Sequence, residues 1–529
     1  MNLFNRFKKC FNMKDPDKRT VLFLSLVLAI TVAAIFLVWS TFVVTEESLI
    51  FSIAWVAGFG FLFLNVVYIF LLSLAHPFLK LPLLKEAYIK QFPKVALVYP
   101  IRNETCGTFE RIHYSLSGNK LPNLDLWILS DSSEEYVLFE DELVAKLREI
   151  YGTRVYYRRR LKPIERKQGN MAEFLHSHPE YSYLYVADAD GMVPKGVILK
   201  LLRKAEDPQN QDVAIFQCSI RIAHARTWYA RFERIGTSFA QRLYFTTMQA
   251  VFGRVISFGH HHLARTKILR KIKLPVGLLS HDNWDSVLLD QLGYRVAFCP
   301  DVIAFDEAPS NYLEATARAR RWAQGTLQGL PLVFKPGITP ASRFFAFYGI
   351  YLYFSDLVFF FWVILGILAH SELTGRLIHF QIDEIWLGLF TNSFVKWVLF
   401  FTMGVIVFHK LVIVKTWQDF GHYLYELFFS TLIILNNFFY VPLHLVTLPL
   451  RKLHWNPMKK NPLAELRFSD ALKHLWAGTL FGALGFYFCT QQTPYFVWQA
   501  TPLLISLTFS IPLVYGTAKS VPKQFMTWI

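Results

Sequence analysis

Apolar residues are concentrated in two parts of the chain, the first 80 residues and about the last 190, whereas the middle has the mixed pattern of a soluble domain. The first apolar run extends from Val21 to Val44, and its roughly 24 positions correspond to about 36 Å of helix. A second run extends from Leu49 to about His76. Each run is long enough to cross a bilayer, so the pattern predicts two transmembrane helices within residues 21–76.

Five further apolar runs follow Pro340, at about 344–369, 385–413, 424–449, 473–490 and 495–517. If all five crossed the membrane, the basic stretch Arg451 to Arg467 would lie outside, against the rule that basic loops stay in the cytosol. The run at 424–449 is also interrupted by Asn436, Asn437 and Pro442. We therefore expect a membrane domain over 344–517 with about four spans and one re-entrant or interfacial segment at 424–449.

The middle of the chain, residues 80–340, alternates short apolar segments with charged, helix-like ones such as Phe139 to Ile150 and Val197 to Glu206. The apolar segments are rich in β-branched and aromatic residues: Val95–Tyr99, Leu124–Leu129, Val155–Tyr157, Tyr183–Ala187 and Val213–Phe216. This alternation predicts a mostly parallel sheet covered by helices, with loops at the strand ends carrying the chemistry. The fold class is therefore a cytosolic α/β domain inserted in an α-helical multi-span membrane domain.

Lys and Arg outnumber acidic residues by 55 to 39, and the basic residues mostly flank the apolar runs. Six of them precede the first run, which predicts a cytosolic N-terminus over 1–20 and, with six spans, a cytosolic tail over 518–529. The excess of positive charge thus fits a lipid bilayer, and no nucleic-acid-binding module accompanies it. The five cysteines lack metal-ligand spacing, so neither a zinc site nor a disulfide framework is expected.

Two aspartates one residue apart, Asp188 and Asp190, follow the apolar segment that ends at Ala187. At the carboxyl end of a strand both carboxylates can reach one ligand, and hard oxygen ligands of this kind suit Mg²⁺ or Mn²⁺ bridged to a diphosphate. An acidic turn without any ligand has the same pattern.

Two other positions favour a nucleotide site. Asp131 ends the apolar segment that starts at Leu124, where it can meet a nucleotide base or ribose. Lys167 lies near Gly169, which lets a backbone approach a phosphate group. A solvated acid and the basic start of a helix are the structural alternatives.

Further along, Ser280-His281-Asp282 opens a helix-like stretch. Asp282 is either a helix N-cap or a carboxylate that takes the proton from an attacking hydroxyl. Arg320-Arg321-Trp322 offers guanidinium groups for phosphate oxygens and a flat ring for a sugar, although a basic helix next to the membrane would have the same composition.

The order of these motifs before a membrane block resembles the processive family 2 glycosyltransferases related to cellulose synthase. The closer resemblance is to the glucans biosynthesis glucosyltransferase H family, which makes osmoregulated periplasmic glucans, and it extends from about Lys94 through the C-terminal membrane block. The matching motifs are Leu129-Ser-Asp131-Ser, Tyr156-Tyr-Arg-Arg-Arg160, Arg166-Lys-x-Gly-Asn170, Gly259-His260, Leu279-Ser-His-Asp282, Arg320-Arg-Trp-x-Gln-Gly325 and Ser510-Ile-Pro512.

The resemblance implies a Rossmann-like GT-A fold and inverting transfer of glucose from UDP-glucose to a growing, β-1,2-linked glucan that passes across the inner membrane. It implies that Asp282 is the catalytic base and that His260 and Trp322 contact the acceptor. It further implies metal ligation by Asp188 and Asp190, with Mg²⁺ or Mn²⁺ as the cofactor. The residues implied to bind the nucleotide sugar are Glu104, Asp131, Lys167, Asp188 and Arg321. A periplasmic glucan-processing partner and acyl carrier protein are the partners that the resemblance implies.

The chain also departs from the pattern of its apparent family. Pro100-Ile-Arg-Asn103-Glu104 replaces the more usual Pro-Val-Tyr-Asn-Glu, and Arg318 stands where cellulose synthases have Gln. His261 and His262 replace an Asn-Ala pair in a segment expected to face the acceptor, which leaves linkage and chain length open. Three alternatives therefore remain at this point: transfer of a single sugar to a lipid carrier, synthesis of another β-glucan such as cellulose, and a non-catalytic transporter.

Overall fold

A seven-stranded mixed sheet forms the centre of the α/β domain in the computed structural model, which describes residues 13, 15–40, 49–79, 83–369, 393–447, 466–490 and 494–522. The strands are β1 Val95–Ile101, β2 Leu124–Ser130, β3 Val155–Arg159, β4 Tyr183–Val186, β5 Val213–Ala223, β6 His262–Arg265 and β7 Arg295–Glu307. They lie in the order β3-β2-β1-β4-β6-β5-β7. β1 to β4 are parallel to one another, β5 is parallel to β7, and β6 runs antiparallel to both β4 and β5.

The five predicted strands are β1 to β5, whereas β6 and β7 were not predicted. β6 has only four residues and has a polar residue at each end, and Pro300 and Asp301 interrupt the apolar pattern of β7. Both of these strands matter for the candidate site, because the residues just before β6 and at the end of β7 lie at the edge of the sheet where β4 ends.

Helices cover the sheet and continue into the apolar parts of the chain. Before the sheet come α1 Pro16–Trp39 and α2 Leu49–Ala75. The α/β domain contains α3 Thr108–Gly118, α4 Val137–Tyr151, α5 Arg166–Ser177, α6 Val197–Glu206, α7 Trp228–Phe239, α8 Thr246–Phe252, α9 Thr266–Leu269, α10 Asp282–Gln291, α11 Tyr312–Leu327 and α12 Leu330–Val333. The C-terminal part contains α13 Pro340–Ala369, α14 Ser393–Phe408, α15 Trp417–Ile433, α16 Asn437–Thr447, α17 Phe468–Thr490, α18 Pro494–Thr508 and α19 Ser510–Thr517.

The central strands are buried on both faces, which explains why they read as continuous apolar runs. Because side chains alternate along a strand, Leu97 and Tyr99 of β1 join one apolar cluster with α3, α4 and α6. Ala96 and Val98 point to the other face and join a cluster that includes Phe174 of α5. With both faces covered, the carboxyl-end edge of β1, β2 and β4 is left for chemistry.

Among the residues that the structure describes, four helical segments are long and apolar enough to cross a membrane, by length and composition: Pro16–Trp39, Leu49–Phe78, Pro340–Leu365 and Trp417–Thr447. They indicate that the protein is associated with a membrane. Three of them, α1, α2 and α13, contribute to one apolar cluster, which includes Tyr68 and Phe345. The predicted link at 45–48 and most of the basic stretch Arg451 to Arg467 lie outside the described residues.

α15 and α16 contact the α/β domain along their whole length. The contacts extend from the first turn of α15 to the last turns of α16. They include the hydrogen bonds Arg242–Asp419 at 2.7 Å, the Tyr425 hydroxyl to the Trp228 carbonyl at 2.9 Å, Tyr312–Asn437 at 2.8 Å and Arg320–His444 at 2.7 Å.

α10 is also held from the membrane side. Trp284 and Val287 of α10 belong to a buried apolar cluster with Leu332 of α12 and Ala346 of α13. The carboxylate of Asp290 accepts a hydrogen bond from the backbone N–H of Thr339, just before α13, at 2.7 Å.

Candidate active site

Lys167, at the start of α5, links two of the predicted motifs. Its ammonium group donates a hydrogen bond to Oδ1 of Asp188 at 2.5 Å and another to the carbonyl of Gly259 at 2.9 Å. Burial lowers the pKa of Lys167, but the carboxylate of Asp188 outweighs it and the pKa is raised. A fixed positive charge therefore lies beside the first aspartate after β4.

Two glycines allow the motifs to approach one another. Gly259 has φ of +76°, and a Cβ atom there would lie 2.1 Å from Oδ1 of Asp282. A Cβ atom on Gly325 of α11 would lie 2.5 Å from Cβ of Ser280. A side chain at either position would push Asp282 or Ser280 away, so the lack of a side chain lets α10 and α11 close around Lys167 and Asp188.

Asp282 is the first residue of α10 and is not its N-cap, which is His281; no side chain makes a capping hydrogen bond at this described helix end. Instead, Oδ2 of Asp282 accepts a hydrogen bond from the hydroxyl of Ser280 at 3.0 Å. The Asp282 side chain is 30% exposed, so its carboxylate is open to a substrate. The alternative that Asp282 is the N-cap of this helix is therefore wrong.

A charged histidine stands next to this carboxylate. Nδ1 of His281 donates to Asp285 at 2.6 Å and lies 3.7 Å from Asp282. Burial lowers the pKa of His281, but Asp285 and Asp282 outweigh it and raise the pKa to about 9. Asp285 was not predicted, although its position four residues after His281 on a helix is a signal for this pair.

His260 bridges the end of β4 and the end of β7. Its Nδ1 lies 2.8 Å from the carbonyl of Phe258 and its Nε2 lies 2.8 Å from Asp306, so both ring nitrogens face acceptors. Burial lowers the pKa of His260, but Asp306 and Asp188 outweigh it and raise the pKa to about 9. Asp306 was missed because β7 was not predicted.

His261 and His262 point into the protein, with 0% and 6% of their surface exposed. The expectation that this pair faces the acceptor is therefore wrong for the side chains, because β6 begins here and turns them into the sheet. Burial lowers the pKa of His261 to about 4, so the ring is neutral. Its Nε2 is buried and has no hydrogen-bond partner among the described residues, and a Cβ atom on Gly191 would lie 2.6 Å from it.

The predicted nucleotide residues lie at the neighbouring strand ends. Both oxygens of Asp131, which follows β2, accept hydrogen bonds from Arg160 at 2.7 Å, and one also accepts from Asn170 at 2.9 Å. Asp131 is 7% exposed, and its carboxylate holds Arg160 and Asn170 in place. Glu104, after β1, accepts a hydrogen bond from the backbone N–H of Arg102.

The acceptor motif lies on α11. The Trp322 side chain is 52% exposed, and the guanidinium of Arg318 lies 4.7 Å from the centre of its ring. Arg318 is fixed in turn by Glu233 of α7 at 2.9 Å. Arg321 is partly buried, and burial lowers its pKa. Gly325 docks the same helix on Ser280, which connects this motif to Asp282.

The model of the family described as "Glycosyl transferase family group 2" matches residues 183–511, which include β4 with both aspartates, Asp282, α11 and most of the C-terminal helices. The chain belongs to this family. It is therefore a glycosyltransferase, which confirms the predicted class of enzyme and excludes the non-catalytic alternative.

Curated relatives of this glycosyltransferase carry the name "Glucans biosynthesis glucosyltransferase H". The protein of Pseudomonas putida strain W619 is 27% identical over 467 residues, covering 79% of this chain and 53% of the relative, and that of Pseudomonas syringae pv. tomato is 27% identical over 470 residues with the same coverage. The chain thus spans about half the length of the curated relatives it matches. Among solved structures, the mannosyltransferase PcManGT from Pyrobaculum calidifontis, in complex with GDP-Man and Mn²⁺, is 14% identical over 72% of this chain and 98% of its own, with a TM-score of 0.46.

Family membership and the observed sheet together confirm the predicted GT-A-type α/β domain joined to apolar helices. Within it, the structure brings Lys167, Asp188, His260 and Asp282 into one cluster. Asp131 lies at a neighbouring strand end, and Trp322 is connected to the cluster through its helix.

The same cluster offers ligands for a divalent cation. Asp188 and Asp190 supply carboxylate oxygens, and Nδ1 of His260 lies 4.0 Å from Asp188. Among the described residues, His260, His261 and Asp306 also have potential ligand atoms within 4.8 Å of one another. Carboxylate oxygens such as those of Asp188 and Asp190 are the ligands that Mg²⁺ or Mn²⁺ prefers, so the residue types at the end of β4 fit the predicted cation.

Proposed function

We propose that this glycosyltransferase transfers glucose from UDP-glucose, with inversion, to a growing glucan. The observation that carries the proposal is the convergence of Lys167, Asp188 and Asp282 around Gly259. It supports Lys167 as the cation for the diphosphate, Asp188 as a carboxylate on the nucleotide side and Asp282 as the base. The names of the curated relatives support glucose as the transferred sugar and a glucan as the product.

The protein's own groups divide the work of a single in-line displacement. Lys167 and Arg321 stabilise the negative charge that develops on the departing diphosphate. Asp282 accepts the proton of the attacking hydroxyl, a role typically worth about 10²–10⁴ in rate. A divalent cation held by Asp188 and Asp190 would neutralise further charge on the diphosphate.

At the nucleotide end, Glu104 contributes to the uridine pocket, and Asp131 shapes it through Arg160 and Asn170. At the acceptor end, Trp322 offers one ring face to a sugar while Arg318 covers the other, and His260 contacts the acceptor. The apolar helices support synthesis at a membrane. The resemblance to the glucan synthases extends the proposal to the cytosolic face of a bacterial inner membrane and to a β-1,2-linked backbone that is passed across it.

The proposal is tested by supplying membranes that contain the protein with radiolabelled UDP-glucose and measuring the size and linkage of the product. We expect an alkali-stable glucan of many units with β-1,2 linkages. A lipid-linked monosaccharide would show the single-transfer alternative, and a β-1,4-linked product would show a cellulose-like synthase. Label from another nucleotide sugar, with none from UDP-glucose, would refute the donor. Membranes with Asp282→Ala serve as the background control.

A further inference from the structure

α3 has a buried polar face that is turned towards the segment after β4. Arg111, Ser115 and Asn119 follow one another at intervals of four residues, so they lie on one side of the helix and its C-terminal end. The three residues are only 6%, 0% and 2% exposed. A buried polar side chain without a hydrogen bond destabilises a protein, so the partners of these three show what the face holds in place.

All three side chains pair with the main chain of the segment that follows β4. Nε of Arg111 donates a hydrogen bond to the carbonyl of Ala189 at 2.7 Å. The hydroxyl of Ser115 accepts one from the backbone N–H of Val193 at 2.9 Å. The side-chain amide of Asn119 donates to the carbonyl of Val193 at 3.1 Å. The face therefore fixes the path of the chain directly after β4.

The contact from Arg111 is made at the turn that carries both candidate metal ligands. Asp188 begins this turn, and its carbonyl accepts a hydrogen bond from the N–H of Gly191 at 2.8 Å. Ala189 stands between Asp188 and Asp190, so a hydrogen bond to its carbonyl restricts the directions in which the two carboxylates leave the turn. Arg111 is buried, so it acts through this turn and not by contact with a ligand.

The same guanidinium group holds two other strand ends. Its Nη1 forms an ion pair with Glu307, the last residue of β7, at 3.1 Å, and the two side chains are only 7% and 15% exposed. Its Nη2 donates a hydrogen bond to the carbonyl of Cys106, in the loop between β1 and α3. A Cβ atom on Gly107 would lie 2.8 Å from Nη1, so the glycine leaves room for this arrangement. One side chain thus connects the loop after β1, the turn after β4 and the end of β7.

These contacts depend on the shape of the guanidinium group as well as on its charge. Its planar fork carries five N–H donors in fixed directions, and here they reach three separate acceptors. A lysine ammonium group would keep a positive charge for Glu307, but it is a compact point charge that lacks this fork. Arg111→Lys therefore separates the geometry of the contacts from their charge.

We propose that Arg111 is a positioning residue for the nucleotide diphosphate. It orients the turn of Asp188 and Asp190 relative to the loop after β1, so that the carboxylates are already placed when the nucleotide binds. This inference rests on the proposed function, since the ligand is the nucleotide of that function's donor. A turn that is held in advance raises the affinity, because binding no longer includes the cost of ordering it.

The test is the binding of UDP in the presence of Mn²⁺ to the full-length protein in lipid nanodiscs, measured by isothermal titration calorimetry. Arg111→Lys should raise the Kd for UDP about 10- to 100-fold, as expected when hydrogen bonds from a charged group are lost. Thermal unfolding without nucleotide is measured on the same preparations, which separates an effect on the turn from a general loss of stability.

Arg270→Lys is the matched control. Arg270 also donates to two backbone carbonyls, those of Leu175 at 2.8 Å and His178 at 3.0 Å. It follows α9, whose first N–H donates to the carbonyl of Ser182 at the start of β4, so it lies at the opposite end of that strand from the aspartates. We expect this variant to lose as much thermal stability as Arg111→Lys and to keep the Kd for UDP within about twofold of wild type.

A wild-type Kd in Arg111→Lys would overturn the proposal, and so would an equal rise of the Kd in Arg270→Lys. If Arg111→Lys does not fold, Glu307→Gln decides. It removes the ion pair that fixes the guanidinium, so a rise of about threefold or more is expected, and an unchanged Kd would overturn the proposal. If the wild-type protein binds UDP through Arg111 but makes no glucan, only the proposed reaction fails. If it makes glucan and Arg111→Lys binds UDP normally, only the positioning role fails.

Discussion

The pair formed by Lys167 and Asp188 offers a direct test of the active-site assignment. Lys167→Met removes the ammonium group and keeps most of the apolar stem. The two side chains are 29% and 34% exposed, so solvent screens the pair and its loss should lower the free energy of unfolding by about 1 kcal/mol or less. If the ammonium stabilises the departing diphosphate, the same change should lower kcat by about 10²–10³-fold, or roughly 3–4 kcal/mol of transition-state stabilisation.

The two effects are measured on one preparation, by initial rates of UDP release and by thermal unfolding in detergent. Lys162→Met is the matched control, because Lys162 lies five residues earlier in an exposed loop. The assignment of Lys167 to the active site is wrong if Lys167→Met retains more than about a third of wild-type kcat. The assignment is also wrong if the loss in the free energy of unfolding is as large as the loss in transition-state stabilisation, since the ion pair would then be structural.

Four further outcomes are expected. Chelation with EDTA should abolish activity, and added Mg²⁺ or Mn²⁺ should restore it. Asp190→Ala should be inactive but normally folded. Full activity in the presence of the chelator would contradict the requirement for a metal ion. Asp282→Asn should lower kcat by at least about 10²-fold, whereas a near-normal rate would rule out the base. His281→Gln should reduce stability most below about pH 6.5, and the difference from wild type should vanish as the pH rises through the native pKa of about 9; a pH-independent difference would contradict the ion pair. A single cysteine at Met458 should resist an impermeant thiol reagent in intact cells, whereas one in the 490–493 loop should react.

The topology prediction concerns the segment formed by α15 and α16. Together they extend over 31 residues, or about 46 Å, and they contact the α/β domain from Asp419 near one end to His444 near the other. A helix perpendicular to the membrane would meet that domain at one end only. A re-entrant or interfacial segment at 424–449 stays our prediction, and labelling at Met458 from outside would mean that the segment crosses.

The parts of the fold that follow from local sequence were predictable. Strands β1 to β5 are short runs of branched and aromatic residues, since a strand buried on both faces tolerates little else. Asp188 and Asp282 could be assigned because each stands directly at the end or start of such an element. The short, polar β6 lacks this signal, and its existence depends on pairing with β4 and β5.

Partners that are distant in sequence could not be predicted in the same way. Asp306 reaches His260 across 46 residues, and Glu233 reaches Arg318 across 85. For Asp131 only part of the arrangement could be predicted. Its position at the end of a strand followed from the sequence, but the arginine that donates hydrogen bonds to both of its carboxylate oxygens became visible only in three dimensions. Such pairs depend on tertiary packing, which a periodic pattern does not encode.

The packing of α10 on α12 and α13 makes the candidate active site depend on an apolar helix. Trp284 and Val287, just after Asp282, are covered by Leu332 and Ala346, and Ala346 belongs to the apolar helix α13. Cleavage before α13 would strip this cover and leave the start of α10 without support. An α/β domain released by proteolysis would thus lose its glycosyltransferase activity, which confines the reaction to the protein that is still joined to its apolar helices.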